Sequence, residues 1–417
     1  MGYLGRSRIR TVSSTPMTAN LISLKQVSIP RTVWALGFVS LFMDLSSELV
    51  HALLPVFLVT TMGMSVTAFG VLEGAAEATA LIVKVFSGSI SDYLGRRKGL
   101  LLLGYGLAAL SKPLFPLATT PALAVTGRML DRVGKGIRGA PRDALVADAA
   151  PPEIRGACFG LRQSMDTIGA FLGPLLAILL MFCFAGHIRT VLWFAVAPAF
   201  VAIGLIAFGI DESGHAPGHR AFRSPLHWRA LQEFPRSYWL IVGIGATFTL
   251  ARFSEAFLVL RAQQTGLNLA WIPGVMVAMS LAYSLSAYPA GRLSDRLDRR
   301  LLLALGMTLL IAADLVLALG QSVRSVLLGV AVWGLHMGFT QGILAAMVSE
   351  TAPSSLRGTA FGVFNLACGL CVLLASALAG WLWDRFGAST TFLAGAALVS
   401  VPLLLCWYAP RHAAPLN

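Results

Sequence analysis

Gly88-Ser-Ile-Ser-Asp-Tyr-Leu-Gly-Arg-Arg-Lys98 decides how this chain is read. It sets two glycines, one acid and three consecutive bases between two long apolar runs. A degraded copy, Gly291-Arg-Leu-Ser-Asp-Arg-Leu-Asp-Arg-Arg300, begins 203 residues later. Further out, Ala150-Pro-Pro-Glu-Ile-Arg-Gly-Ala-Cys-Phe-Gly160 matches Ala352-Pro-Ser-Ser-Leu-Arg-Gly-Thr-Ala-Phe-Gly362 at an offset of 202. Ser47-Glu48 is echoed by Ser254-Glu255 at an offset of 207. Three matches at a nearly constant offset predict two related halves.

The flanking runs set the class. The chain is 56% hydrophobic and 12% charged, whereas soluble domains carry about 25% charged residues. Its mean hydropathy is +0.75. Runs of about 20 apolar residues cross a bilayer core about 30 Å thick. Backbone groups in lipid must pair within their own segment, so helices are expected; the alternation of a membrane barrel is absent. Twelve spans are predicted: 32–60, 66–90, 99–118, 121–147, 154–184, 189–210, 238–262, 270–291, 300–320, 324–350, 356–383 and 388–409. The fold class is thus all-α and integral to the membrane, with twelve transmembrane helices in two pseudo-symmetric six-helix bundles.

Charge orients the spans. There are 32 bases against 19 acids, a net charge of +13. The bases cluster in short segments on one side: the N-terminal tail, Arg96-Arg97-Lys98, Arg155, Arg220 to Arg236, Arg292 to Arg300, and Arg357. This follows the positive-inside rule and argues against nucleic acid as the partner. Both termini are expected in the cytoplasm of a bacterial-type inner membrane. The layout is a tail over 1–31, a bundle over 32–210, a linker over 211–236, a bundle over 237–409 and a tail over 410–417. Ser224-Pro225 opens a short amphipathic helix in the linker.

The five cysteines lie in or beside apolar runs, and Cys368-x-x-Cys371 has no second pair or nearby histidine, so helix packing explains them. No metal or cofactor is expected. No His-Glu-x-x-His or Gly-x-Ser-x-Gly pattern points to an enzyme. The predicted partners are the lipid bilayer and a small-molecule substrate, with the protein a monomer.

The Gly-x-x-Ser-Asp-x-x-Gly-Arg-Arg-Lys loop, the half-copy and the twelve spans resemble the major facilitator superfamily, over residues 32–409. The resemblance implies gating by Gly88, Asp92, Gly95, Arg96 and, in the second copy, Asp295. In that scheme Asp92 latches onto the N-terminus of span 11, near Ser354-Ser355, where a helix dipole favours an anion. Arg128-x-x-Asp131-x-x-Gly134-x-Gly136 is similar to the span-4 motif in which an arginine couples to protons. Gly160, Gly169, Gly173 and Pro174 match Gly-x8-Gly-x3-Gly-Pro, similar to the motif of the proton-coupled antiporter (exporter) branch. Small residues on one face also let helices cross closely.

Charges inside apolar runs are costly and usually face a cavity or a partner. Asp44, Glu48 and His51 share a stripe of span 1, and Glu73, Glu77 and Lys84 share one of span 2. Arg128, Asp131, Arg132, Lys135 and Arg142 lie on one side of span 4. Span 5 adds Arg162 and Asp166, and span 7 adds Arg252 and Glu255. Buried carboxyls near bases suit proton uptake and release, so Glu48, Glu73 and Glu77 are the leading proton carriers, with Lys84, Arg128 and Arg162 as counter-charges. His336, Trp333, Tyr283 and Tyr288 are further cavity candidates, although packing and interface anchoring are commoner uses of such aromatics. The expected activity is alternating-access, proton-coupled efflux of a small organic solute or drug. The alternative, favoured by the many arginines, is an organic anion or phosphate ester.

Overall fold

The structure is a computed structural model. It describes residues 28–94, 97–210, 231–294, 297–353 and 356–406, without the side chains of Asp92, Glu153 and Arg357. Among these residues there is helix and no strand. Among the described residues eleven helices are long and apolar enough to cross a membrane. A twelfth, Pro121–Ala149, has the length of a span, and its charged side chains Arg128, Asp131, Arg132 and Arg138 are buried. Partners on neighbouring helices offset the cost of those charges.

The spans are Arg31–Thr61, Val66–Leu94, Arg97–Leu117, Pro121–Ala149, Arg155–Cys183, Ile188–Gly209, Arg236–Gln264, Leu269–Ser294, Arg299–Leu319, Val323–Thr351, Arg357–Phe386 and Ala388–Leu405. They are numbered 1 to 12. The end of span 2 at Leu94 and the start of span 3 at Arg97 mark one face of the molecule, here the loop face. The linker between 211 and 230 and the tails at 1–27 and 407–417 lie outside the described residues.

Several spans expected to be single helices are interrupted. Span 3 turns at Lys112-Pro113, and span 1 passes through Pro55 into a π turn over Phe57–Thr61. Proline removes a backbone donor and crowds the preceding turn. Span 7 opens with no proline. Its helix stops at Ala251 and resumes at Ala256, leaving Arg252-Phe-Ser-Glu255 unwound. A freed amide, that of Ser254, donates to Ser376 Oγ of span 11 at 3.2 Å. Non-helical backbone at membrane depth requires such partners.

Close crossings hold each half together. A Cβ at Gly104 would lie 2.8 Å from the Gly134 carbonyl oxygen, locking span 3 to span 4. At the equivalent place 202 residues on, a Cβ at Gly306 would lie 2.5 Å from Thr340, locking span 9 to span 10. The duplication also repeats an ion pair: Arg97 binds Asp148, and Arg299 binds Glu350, each 202 residues later. Spans 2 and 11 join the halves, and a Cβ at Gly70 would meet the Ser376 carbonyl oxygen at 2.2 Å.

Candidate functional site

A cavity of about 560 Å³ lies between the halves. Spans 1, 2 and 4 line it with Glu48, His51, Glu77, Arg132 and Lys135. The unwound part of span 7 adds Arg252, Phe253, Ser254 and Glu255. Spans 10 and 11 contribute mostly neutral groups, among them Gln341, Phe361, Phe364 and Asn365. Charge is therefore concentrated on the first half and on one broken helix of the second.

The acids and bases form a connected ladder. Glu48 lies 3.3 Å from His51 Nδ1, and His51 Nε2 lies 3.8 Å from Glu73. Arg128 donates to Glu73 at 2.6 Å and reaches Glu77 at 3.8 Å. Arg132 donates to Glu77 at 3.0 Å and sits 3.3 Å from Asp131. Lys112 donates to Asp131 at 2.7 Å and to Ser47 Oγ at 2.9 Å. Ser254 extends the ladder across the halves, its hydroxyl donating to Glu73 at 3.4 Å. A buried ion pair is tolerated when its remaining polar atoms find partners; here the pairs share partners along the ladder, while Glu73 Oε1 and Arg128 Nε have none among the described residues.

This ladder gathers Glu48, Glu73, Glu77, Arg128, Asp131 and Arg132. Glu73 is buried beneath the cavity wall and does not line it. Arg252 and Glu255, 3.7 Å apart, face the same cavity from the opposite half. Nearer the loop face, Asp166 binds Arg142 at 3.3 Å and Arg162 at 3.6 Å, with Asp44 beside it. This second cluster stands apart from the cavity lining. Lys84 joins neither group: its stem runs along Gly139, and it makes no ion pair within 4.0 Å among the described residues. The ladder instead takes in Lys112, which sequence reasoning missed, as the partner of Asp131. Its one signal was a lysine before proline in an apolar run.

His336 and Trp333 are fully buried and stack edge-on at 5.3 Å, so neither lines the cavity. Gly88 faces Ala140 of span 4, at 3.4 Å for an added Cβ, and so packs within its own half. Gly95, Arg96, Asp295 and Ser354-Ser355 lie outside the described residues, as does the side chain of Asp92. In the span-5 motif, a Cβ at Gly169 would lie 2.3 Å from the Leu41 carbonyl oxygen and one at Gly173 2.8 Å from that of Leu45. These two glycines let span 5 press against span 1, whereas Gly160 faces open space. Among the described residues no cluster of His, Cys, Asp and Glu could hold a metal ion.

On the face opposite the loop the halves are joined by polar contacts. Asp384 of span 11 accepts from the backbone amides of Val66 and Thr67 and from the Thr67 hydroxyl, at 3.2, 2.7 and 2.6 Å. Thr60 and Gln263 bond across the same face at 2.8 Å. Beneath them the rings of Phe69, Phe257 and Trp383 stack, Phe257 lying 6.2 Å from Phe69 and 5.8 Å from Trp383. This layer closes the cavity on that side.

Comparison with known proteins agrees with this architecture. An uncharacterized MFS-type transporter of Methanocaldococcus jannaschii is 30% identical over 403 residues, covering 95% of this chain and 99% of that one. Multidrug resistance protein MdtH of Photorhabdus laumondii is 25% identical over 368 residues, covering 83% of this chain and 85% of that one. A crystal structure of a POT family transporter in complex with 5-aminolevulinic acid superposes with a TM-score of 0.76 at 13% identity, covering 91% of this chain and 96% of that one. The sequence pattern of the Major Facilitator Superfamily matches residues 36–376. With twelve helices in two repeated halves around one cavity, this chain is a transporter of the Major Facilitator Superfamily.

Proposed function

We propose that this transporter couples proton movement to the export of a small organic solute by alternating access. The observation that carries the reading is the pairing inside the cavity: Glu48 with His51, Glu77 with Arg132 and Glu255 with Arg252, at 3.3, 3.0 and 3.7 Å. With the cavity facing inward, the solute competes with a proton for these carboxyls, so loss of the proton admits the solute. With the cavity facing outward, proton uptake by the carboxyl displaces the solute, and the proton is carried inward. Each ligand moves the equilibrium between the two cavity orientations only by its difference in affinity for them. The multidrug resistance name of one relative supports an organic cargo.

A solute screen in proteoliposomes under an imposed pH gradient tests this. Glu48→Gln and Glu77→Gln are expected to abolish pH-driven movement while leaving solute exchange. Proton flux that survives both single changes and the double change places the carriers elsewhere.

A second reading, transport of an organic anion or phosphate ester, has its own support. Lys135 lines the cavity and has no ion-pair or hydrogen-bond partner among the described residues. Its charge is available to a carboxylate or phosphate.

A further inference from the structure

Asp314 lies in the last third of span 9. Its side chain is fully buried, and among the described residues neither carboxyl oxygen has a hydrogen-bond partner. At the repeat offset of 202 it occupies the place of Lys112, and Trp333 occupies the place of Asp131. The packing supports the equivalence: Gly127 presses on Leu114 and Phe115, as Gly329 presses on Val316 and Leu317. In the first half the Lys112 ammonium is held by Asp131 and Ser47. In the second half the charge-bearing group has the opposite sign, and the group at the Asp131 place is an indole. The Trp333 Nε1 is likewise buried and without a partner.

Among the described residues the surroundings of Asp314 offer no counter-charge. Span 10 carries Trp333 and His336, and none of their three ring nitrogens has a hydrogen-bond partner among the described residues. Span 8 carries no Asp, Glu, Lys, Arg or His before Arg292, only Tyr283 and Tyr288 among titratable groups. Span 12 contributes Gly395, where a Cβ would lie 2.8 Å from Asp314 Oδ2 and 3.2 Å from Phe253 Cε1. Arg261 is engaged by the Leu317 and Gly320 carbonyls, each at 2.9 Å. Arg252 and Glu255 flank Phe253 in the unwound segment and face the cavity. Phe253 thus stands between the cavity, which it lines, and Asp314. It sits in the unwound part of span 7, where no helical hydrogen-bond ladder pins it.

We propose that Asp314 is a proton-binding site of the second half, reached from the central cavity past Phe253. A carboxylate buried without a partner is strongly disfavoured, and a bound proton removes its charge. A metal cation would need several oxygen ligands, which Phe253, Trp333 and Gly395 do not supply through their side chains. The proposal rests on the proton-coupled reading above and adds a site to it.

The test is labelling of the full-length protein in lipid vesicles with dicyclohexylcarbodiimide, an apolar reagent that adds to protonated carboxyls. Peptide mass spectrometry reads the label on Asp314 between pH 5.5 and 9. Labelling is expected to fall about tenfold across that range, and Phe253→Ala is expected to speed it about tenfold. Labelling that stays constant with pH marks a permanently neutral structural acid and overturns the proposal. Absence of label in both the wild type and Phe253→Ala also overturns it, as does protection by sodium chloride at fixed pH. Proton-driven transport measured on the same vesicles separates the two ideas. Transport with pH-independent labelling sinks the Asp314 site alone. pH-dependent labelling without proton-driven transport sinks the coupling reading and leaves Asp314 a proton site.

Discussion

Asp384 caps the first turn of span 2 from the other half of the molecule, its Oδ2 accepting from the Thr67 amide at 2.7 Å. An acid at a helix N-terminus meets both unpaired donors and the positive end of the helix dipole. It therefore stabilises the arrangement in which the face opposite the loop is closed. The pair is solvent-exposed, so its worth is that of an ordinary helix cap. Asp384→Ala is expected to cost the closed arrangement about 1 kcal/mol, roughly a fivefold shift in population. Distances between spin labels on spans 1 and 7 at that face measure the shift. Unchanged distance distributions would remove the capping role.

The pair of Arg128 and Glu73 tests whether the ladder is structural. Both side chains are almost wholly buried and 2.6 Å apart. Arg128→Met alone strands a carboxylate and is expected to destabilise the protein by about 3–5 kcal/mol. Adding Glu73→Gln is expected to recover most of that loss, because neither charge then remains unpaired. Thermal unfolding in detergent reports both steps. A double variant as unstable as the single one means that His51 and Glu77, which also touch the pair, depend on it.

The span-5 glycines are expected to behave unequally. Gly169→Val drives a side chain into the backbone of span 1, which cannot yield, so poor folding and loss of transport are expected. Gly160 faces open space, and Gly160→Ala is expected to change stability by less than about 0.5 kcal/mol. Equal tolerance of both changes would show that the crossing of spans 1 and 5 is looser than this.

Lys135 separates the two cargo readings. If an anionic solute meets its ammonium, Lys135→Gln is expected to weaken binding of carboxylate-bearing probes by about tenfold, or about 1.4 kcal/mol. Binding of cationic probes should be unchanged or improved. A loss shared by both probe types would point to cavity shape in place of charge.

Apolar run length made the spans legible, because each must cross the same thickness of hydrocarbon. All twelve predicted spans correspond to helices, with ends within a few residues. The charge stripes on spans 1, 2 and 4 were legible for a related reason: charges in such runs must converge on one another. The opening of span 7 was not. Arg252-Phe-Ser-Glu255 carries neither proline nor glycine, and the unwinding depends on Ser376 of span 11 receiving a freed amide.

By itself the sequence determined the helices, their duplication and the family, since these follow from periodicity, run length and a local motif. Tertiary structure alone decided the partners. It showed that Lys112 and not Lys84 completes the ladder, and that Glu73 lies behind the cavity wall while Glu77 lines it. It also showed that Asp314 stands where the other half keeps a lysine, without a counter-charge among the described residues. The physical reason is range. Helix formation depends on neighbours along the chain, whereas pairing of charges at membrane depth depends on which faces of distant helices meet, and the stripe on one helix does not name its partner.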